Sequence, residues 1–196
     1  MAITPRSDQR QPAATEETLS FWLRGTARAH PSTEALVSGN STLTYQDLAT
    51  RVTALAKSLR EADLAPGDLL AIAASRSIDT VVTILAALEA GIGYVPLDLS
   101  YPADRLRMML AEALPRAVMG DPEGLTALTA QLGAMPSLAA PLPRPDHPVY
   151  GVGADTAYVL FTSGSTGKPK GVSMGRGPLA KLIAWHATHP RLQRAA

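Results

Sequence analysis

Apolar positions along this chain fall into two rhythms. Short continuous runs of strand length alternate with longer segments in which apolar residues recur every three or four positions. A helix is predicted from about Leu19 to Ala29. A hairpin follows, Ala35-Leu36-Val37 and Thr42-Leu43 joined through Gly39-Asn40. Thr44 is a good N-cap with Asp47 three residues on, and Leu48, Val52, Leu55, Ala56 and Leu59 then recur on one helical stripe behind the anchor Tyr45. Beyond the Pro66-Gly67 turn come a strand from Leu69 to Ala73 and a helix around Thr80 to Ala90, with Val81, Val82, Leu85 and Leu88 on it and Gly91 ending it. A strand from Tyr94 to Leu97, a helix Ala103 to Ala113 opened by Pro102, a strand Ala117 to Met119 and a helix near Glu123 to Gln131 complete the series. This is βαβ repetition, so an α/β fold with right-handed crossovers is expected.

The rhythm then breaks. Pro136, Pro141, Pro143, Pro145 and Pro148 predict an irregular, exposed connector, because each proline withholds a backbone donor. Tyr158, Val159, Leu160 and Phe161 read as a buried strand bounded by turn formers, and Pro178 is placed at the start of a last helix carrying Leu179, Leu182 and Ile183.

Between them lies Thr162-SGSTGKPK-Gly171. Gly164 and Gly167 let a backbone turn through positive φ and approach a ligand closely, while Thr162, Ser163, Ser165 and Thr166 offer hydroxyls. Lys168 and Lys170 add positive charge. Successive N–H groups in such a turn form a concave anion site, and an ammonium beside it suits phosphate. On composition alone, a solvated Gly/Ser turn between two strands is the commoner outcome. A Walker loop is ruled out by spacing, since Thr162 stands five before Gly167 and Pro169 follows Lys168. Gly171-Val-Ser173-Met-Gly175 fits the spacing of a hydrolase nucleophile elbow, but no acid follows Ser173, so the match is read as chance.

The order of those ten residues decides the reading. TSGSTGKPKG resembles the phosphate-loop signature of the adenylate-forming (AMP-binding) enzymes, which include acyl-CoA ligases, luciferases and the adenylation domains of nonribosomal peptide synthetases. Leu43-TYQD-Leu48 resembles the family's first core motif, and Leu85-AALEAGIGYVPLDLSYPADR-Leu106 its second. Gly93-Tyr-Val-Pro-Leu-Asp98 followed by Tyr101-Pro102 and Arg105-Leu106 is closer to peptide synthetases than to most acyl-CoA ligases. The resemblance runs from about Leu19 to the last residue.

It implies an α/β fold with mixed sheets flanked by helices, the N-terminal part of the adenylate-forming fold. Residues 1–18 are expected to be a flexible N-terminal segment and 19–196 a partial adenylation domain. The implied parent enzyme activates an amino acid with Mg2+ and ATP as aminoacyl-AMP, then loads the phosphopantetheine thiol of a carrier-protein domain, with a condensation domain as an optional neighbour. Lys170 is the expected catalytic contact to the departing phosphates. Thr162, Ser163, Gly164, Ser165, Thr166, Gly167 and Lys170 are expected to hold the nucleotide, with Lys168 an exposed charge and Tyr45, Tyr94 and Asp98 structural. Segments that bind adenine and ribose, the side-chain pocket and the C-terminal lysine are expected beyond this stretch, so the 196 residues alone should be inactive. There are two departures from the family pattern. Arg176 stands where a histidine is common, and Gly175 replaces a small hydroxyl residue. An acyl-CoA ligase-like enzyme, a non-catalytic remnant and a fold-only fragment made for study remain as alternatives.

Composition bounds the rest. Hydrophobic residues make up 46% and charged residues 18%, ordinary for a globular protein, and the formal net charge of +1 leaves no footprint for nucleic acid. Arg176, Lys181, Arg191 and Arg194 are read as a solvated face. With no cysteine there is no disulfide, thiolate nucleophile or thiolate metal site, and the four histidines lack carboxylate partners, so no protein metal site is expected. Neither an apolar leader nor a membrane-length run is found, Val81 to Leu88 being far too short, so a cytoplasmic protein with no membrane partner is expected.

Overall fold

The computed structural model describes residues 19–137, 140–145, 151–163 and 169–188. The predicted N-terminal segment, Gly164 to Lys168, His147, Pro148, His189, Arg191 and Arg194 lie outside them.

Helix α1 (Leu19–Ala29) precedes a two-stranded antiparallel hairpin, β1 (Glu34–Ser38) and β2 (Ser41–Thr44), which turns through Gly39 at φ 57°. Helix α2 (Tyr45–Glu61) starts on the predicted capping box. Thr44 Oγ1 accepts the Asp47 N–H at 3.2 Å, and Asp47 Oδ2 accepts the Thr44 N–H at 3.4 Å. Leu48, Val52, Ala56 and Leu59 form its buried stripe.

The main body alternates β3 (Leu69–Ala74), α3 (Ile78–Ala90), β4 (Gly93–Asp98), α4 (Ala103–Ala113), β5 (Ala117–Gly120) and α5 (Pro122–Leu132), then β6 (Thr156–Ser163), β7 (Pro169–Gly175) and α6 (Arg176–Thr188). These strands make one five-stranded sheet in the order β5-β3-β4-β6-β7. It is parallel from β5 to β6, while β7 is antiparallel to β6, giving the expected mixed sheet. Alternation along the strands divides the core. Leu70 and Ile72 pack toward Val52, Ala56 and Leu59 of α2 and Val82, Ala86 and Ala87 of α3. Leu69, Ala71, Val95, Leu97, Val118 and Val159 pack on the opposite face against Leu106, Met109 and Ala113 of α4 and Leu128 of α5.

Several boundaries differ from expectation for local reasons. α3 begins at Ile78 because Ser77 Oγ caps the Thr80 N–H at 3.1 Å, and it buries Val82, Thr83, Ala86, Ala87 and Ala90 while Val81, Leu85 and Leu88 are only half-buried. α5 begins at Pro122, capped by Asp121 through Gly124 N–H at 2.7 Å. α6 begins at Arg176, two residues before Pro178. A proline in the first turn removes a donor that has no intrahelical partner anyway. β7 was not anticipated, although Val172 and Met174 alternate with Gly171 and Ser173. The strand Tyr158 to Phe161 is not buried throughout either. Val159 is buried, but Leu160 is 45% exposed opposite its partner Val172 at 53%.

The connector is irregular and exposed where described, with Leu142 half exposed, yet it is tied down. Pro136 O accepts the Val118 N–H at 2.9 Å, and Arg116 O accepts the Leu142 N–H at 2.7 Å. It therefore runs along the outer side of β5, occupying donors and acceptors that an edge strand would otherwise present.

Candidate functional site

Because β3, β4 and β6 are parallel, their carboxyl ends share one edge of the sheet, the edge where open α/β sheets bind ligands. Two described turns lie there, Ser75 to Ser77 after β3 and Asp98 to Tyr101 after β4, and β6 ends there at Ser163. Most polar groups in the two turns satisfy one another. The Ser75 hydroxyl donates to the Asp121 carboxylate, which also accepts the Gly124 N–H. Those two hydrogen bonds, the serine's first, hold the Asp121 carboxyl below its usual range. Asp98 Oδ1 accepts the Ser100 N–H at 2.9 Å, and Ser100 holds that carboxyl down as well. Asp98 and Asp121 are therefore turn-forming carboxylates. Arg105, in the first turn of α4, stacks 4.3 Å over the Tyr101 ring.

The signature begins at the end of β6. Thr162 and Ser163 end β6, while Pro169 and Lys170 begin β7, so Lys170 lies on a strand and not in the loop proper. Thr162 and Lys170 are register partners, and Thr162 Oγ1 makes a long 3.4 Å contact to Lys170 O. Both side chains are exposed. Gly164, Ser165, Thr166, Gly167 and Lys168 fall outside the described residues, so the structure brings together Thr162 and Lys170 of the expected set. A Cβ at Gly171 would stand 3.2 Å from Val159 Cγ1 and 3.5 Å from the Phe161 ring, a tight fit that favours glycine. The Gly171 N–H donates to Glu112 Oε1 of α4 at 3.2 Å. Sequence reasoning had no signal for Glu112, which meets Gly171 across 59 residues of chain.

Ser173 sits within straight β7 opposite Val159, not on the sharp strand-to-helix turn of a nucleophile elbow, so the dismissal of that motif stands. Arg176 corrects another expectation. It is not part of a solvated face: it is half-buried, and donates to Leu88 O at 2.7 Å and Ile92 O at 3.0 Å. Burial lowers its pKa from the usual guanidinium value, with nearby Asp155 opposing. Tyr94 is also half-buried, its ring 5.7 Å from that of Tyr158, and burial pushes its phenol up to about 12. Tyr94 therefore stays neutral at physiological pH. Among the described residues no group of three or more His, Asp or Glu side chains is placed to hold a metal ion, and no helix is long and apolar enough to cross a membrane.

Comparison with known proteins gives the class: the AMP-binding enzyme family matches residues 23–194, and the chain belongs to it. It is homologous over most of its length to adenylation domains of nonribosomal peptide synthetases. It is 36% identical over 185 residues to enterobactin synthase component F of Escherichia coli K12, covering 89% of this chain and 14% of that protein. Surfactin synthase subunit 2 of Bacillus subtilis 168 is 39% identical over 166 residues, covering 80% of this chain and 4% of that protein. The chain thus spans a small part of the relatives it matches. Among solved structures, the N-terminal subdomain of Klebsiella oxytoca NpsA, in complex with 3-hydroxybenzoyl-AMSN, superposes with a TM-score of 0.61 at 26% identity, over 81% of this chain and 41% of that one. Fatty acyl-adenylate ligase from L. pneumophila gives a TM-score of 0.68 at 21% identity, over 88% and 32% of the two chains, and speaks for the fold alone.

Proposed function

We propose that residues 19–196 are the N-terminal part of an amino-acid-activating adenylation domain, contributing the seat for the β- and γ-phosphates of ATP. In the reaction an amino acid carboxylate oxygen bonds to the α-phosphorus of ATP. The bond from that phosphorus to the α,β-bridging oxygen breaks, and pyrophosphate leaves with its electrons. Two anions must be brought together and a polyanion released, so positioned positive charge and N–H dipoles address the barrier directly. Lys170 supplies the charge. Thr162, Ser163, Ser165 and Thr166 supply hydroxyl and amide donors, and Gly164 and Gly167 allow close backbone approach. Mg2+ arrives with ATP as the counter-ion of the triphosphate. Aminoacyl transfer to the phosphopantetheine thiol of a carrier-protein domain would follow, with a condensation domain as a further partner.

One observation carries the reading. The TSGSTGKPKG run leaves β6 at the carboxyl edge of the parallel strands and returns on β7 with Lys170 exposed, in a chain 36% identical to enterobactin synthase component F. The test is amino-acid-dependent exchange of labelled pyrophosphate into ATP, measured on the 196 residues alone and fused to the remainder of a homologous adenylation domain. The fusion should support exchange and the 196 residues alone should not, since a phosphate seat without adenine and ribose contacts holds ATP weakly. Exchange driven by fatty or aryl acids but by no amino acid would refute the amino-acid assignment. Exchange by the 196 residues alone would show that the essential chemistry has been misplaced.

A further inference from the structure

The peptide unit between Lys170 and Gly171 is gripped from both sides. Its carbonyl, Lys170 O, takes the 3.4 Å contact from Thr162 Oγ1, and its N–H donates to Glu112 Oε1 at 3.2 Å. β7 is the last strand of the sheet among the described residues, and water is the usual partner of an edge strand's free N–H. A side chain from α4 meets it instead. The orientation of that peptide plane sets the direction in which the Lys170 side chain leaves the strand. Pairing with β6 holds the strand from one side, and the Glu112 contact ties the same peptide from the other.

We infer that Glu112 is a positioning residue for Lys170: through the Gly171 N–H its carboxylate fixes the start of β7 and so the lysine's aim at the bound phosphates. The inference rests on the assignment of Lys170 to phosphate. It has a counter-intuitive consequence, because Glu112 is an anion close to an anion site. Were it a mere neighbouring charge, its removal would strengthen phosphate binding by relieving repulsion. As a positioning group it acts in the opposite sense, and what matters is the acceptor oxygen, not the charge.

The two roles separate in a titration of the 196-residue chain with inorganic pyrophosphate, followed by amide chemical shifts, using Glu112→Ala, Glu112→Gln, Lys170→Ala and the double variant Glu112→Ala/Lys170→Ala. Glu112→Ala should weaken binding about 2- to 10-fold, the range for one lost hydrogen bond. Hydrogen exchange at the Gly171 amide should quicken in the same variant. Glu112→Gln keeps an acceptor and should bind as well as the unmodified chain or better. In the Lys170→Ala background Glu112→Ala should have no further effect. Tighter or unchanged binding in Glu112→Ala overturns the inference, as does equal weakening with and without Lys170. Binding indifferent to Lys170→Ala instead overturns the phosphate assignment, and the inference falls with it.

Discussion

Arg116 is 5% exposed and sits at the amino end of β5, where the charge network around it gives a quantitative prediction. Its Nε donates to Leu142 O at 2.8 Å, Nη1 to Asp68 Oδ2 at 3.0 Å and to Asp63 O, and Nη2 to Asp63 Oδ2 at 3.2 Å. Asp68 is buried too, and also accepts the Ala65 N–H at 2.8 Å. Arg144 reaches the same two aspartates from the connector, but its side chain is 46% exposed. Replacing Arg116 with methionine keeps the aliphatic bulk, strands the buried Asp68 carboxylate with a half-solvated partner, and frees the connector carbonyl. Breaking a buried ion pair by deleting one member costs about 3–5 kcal/mol. Arg144→Met should cost far less, because solvent screens an exposed pair. Against a total stability of about 5–15 kcal/mol the first is severe and the second slight.

Urea unfolding followed by far-UV circular dichroism measures both, and limited proteolysis near Leu142 should report the freed connector in Arg116→Met. The pH dependence adds an independent check. Asp63 is held below the usual carboxylate range chiefly by its hydrogen bond from Arg116, then by the charge of Arg144. Its contribution is therefore present above the unfolded value near 3.9 and lost as pH falls through the depressed folded value. Arg116→Met should flatten that acid limb. A loss under about 1 kcal/mol in Arg116→Met, or a larger loss in Arg144→Met, would refute the reasoning that burial of the Arg116–Asp68 pair controls this corner.

Three further outcomes are expected. In the amino-acid-dependent exchange reaction of the fused enzyme, Lys170→Ala should lower the rate about 10- to 150-fold, corresponding to about 1.5–3 kcal/mol for a charge-assisted contact, and Lys168→Ala much less; equal impairment would erase the distinction between them. Gly120→Ala should destabilise the fold by about 1–3 kcal/mol in thermal unfolding, because the new Cβ would stand 2.8 Å from Ala73 Cβ and 2.9 Å from Ala73 O. Ser75→Ala should raise the Asp121 pKa toward the ordinary value, since the Ser75 hydroxyl is the main cause of its depression. Stability that the unmodified chain loses only as pH falls through the depressed value is then lost at higher pH, and carbonyl-detected NMR titration of Asp121 would show it.

What was legible in the sequence is what is local. Thr44 with Asp47, Gly91 at φ 85° closing α3, and the Gly39-Asn40 hairpin are each decided within four or five residues, and each appears where the pattern placed it. The ten-residue signature likewise announced its place after a strand. Contacts between distant segments left no trace. Asp63, Asp68, Arg116 and Arg144 read as four unrelated charges until the fold closes, and Glu112 as one more polar residue on a helix. Leu160 misled for a related reason, since a run of large apolar residues says nothing of which neighbours cover it. Lys170 was placed in a loop because the return strand is written in glycine, serine and valine, a composition that turns share.

The departure at Arg176 belongs to the opposite end of β7 from Lys170. β7 runs antiparallel to β6, so the six residues from Lys170 to Arg176 carry the chain about 20 Å away, toward the amino ends of the parallel strands. There the Arg176 guanidinium takes Leu88 O and Ile92 O, at the carboxyl end of α3, a helix with no basic residue in its own last turn. Cation and helix terminus complement one another, and two carbonyls gain donors. Gly175 completes the arrangement. Its added Cβ would stand 3.0 Å from Asp155 Oδ2 and 3.4 Å from Pro178 Cδ, and the close approach it permits lets Asp155 O accept the Arg176 N–H at 2.8 Å. The two departures are thus one local solution, a bare backbone position beside a long cation, that docks the start of α6 onto the α3–β4 corner. They bear on how that corner is braced, at the far end of β7 from Lys170.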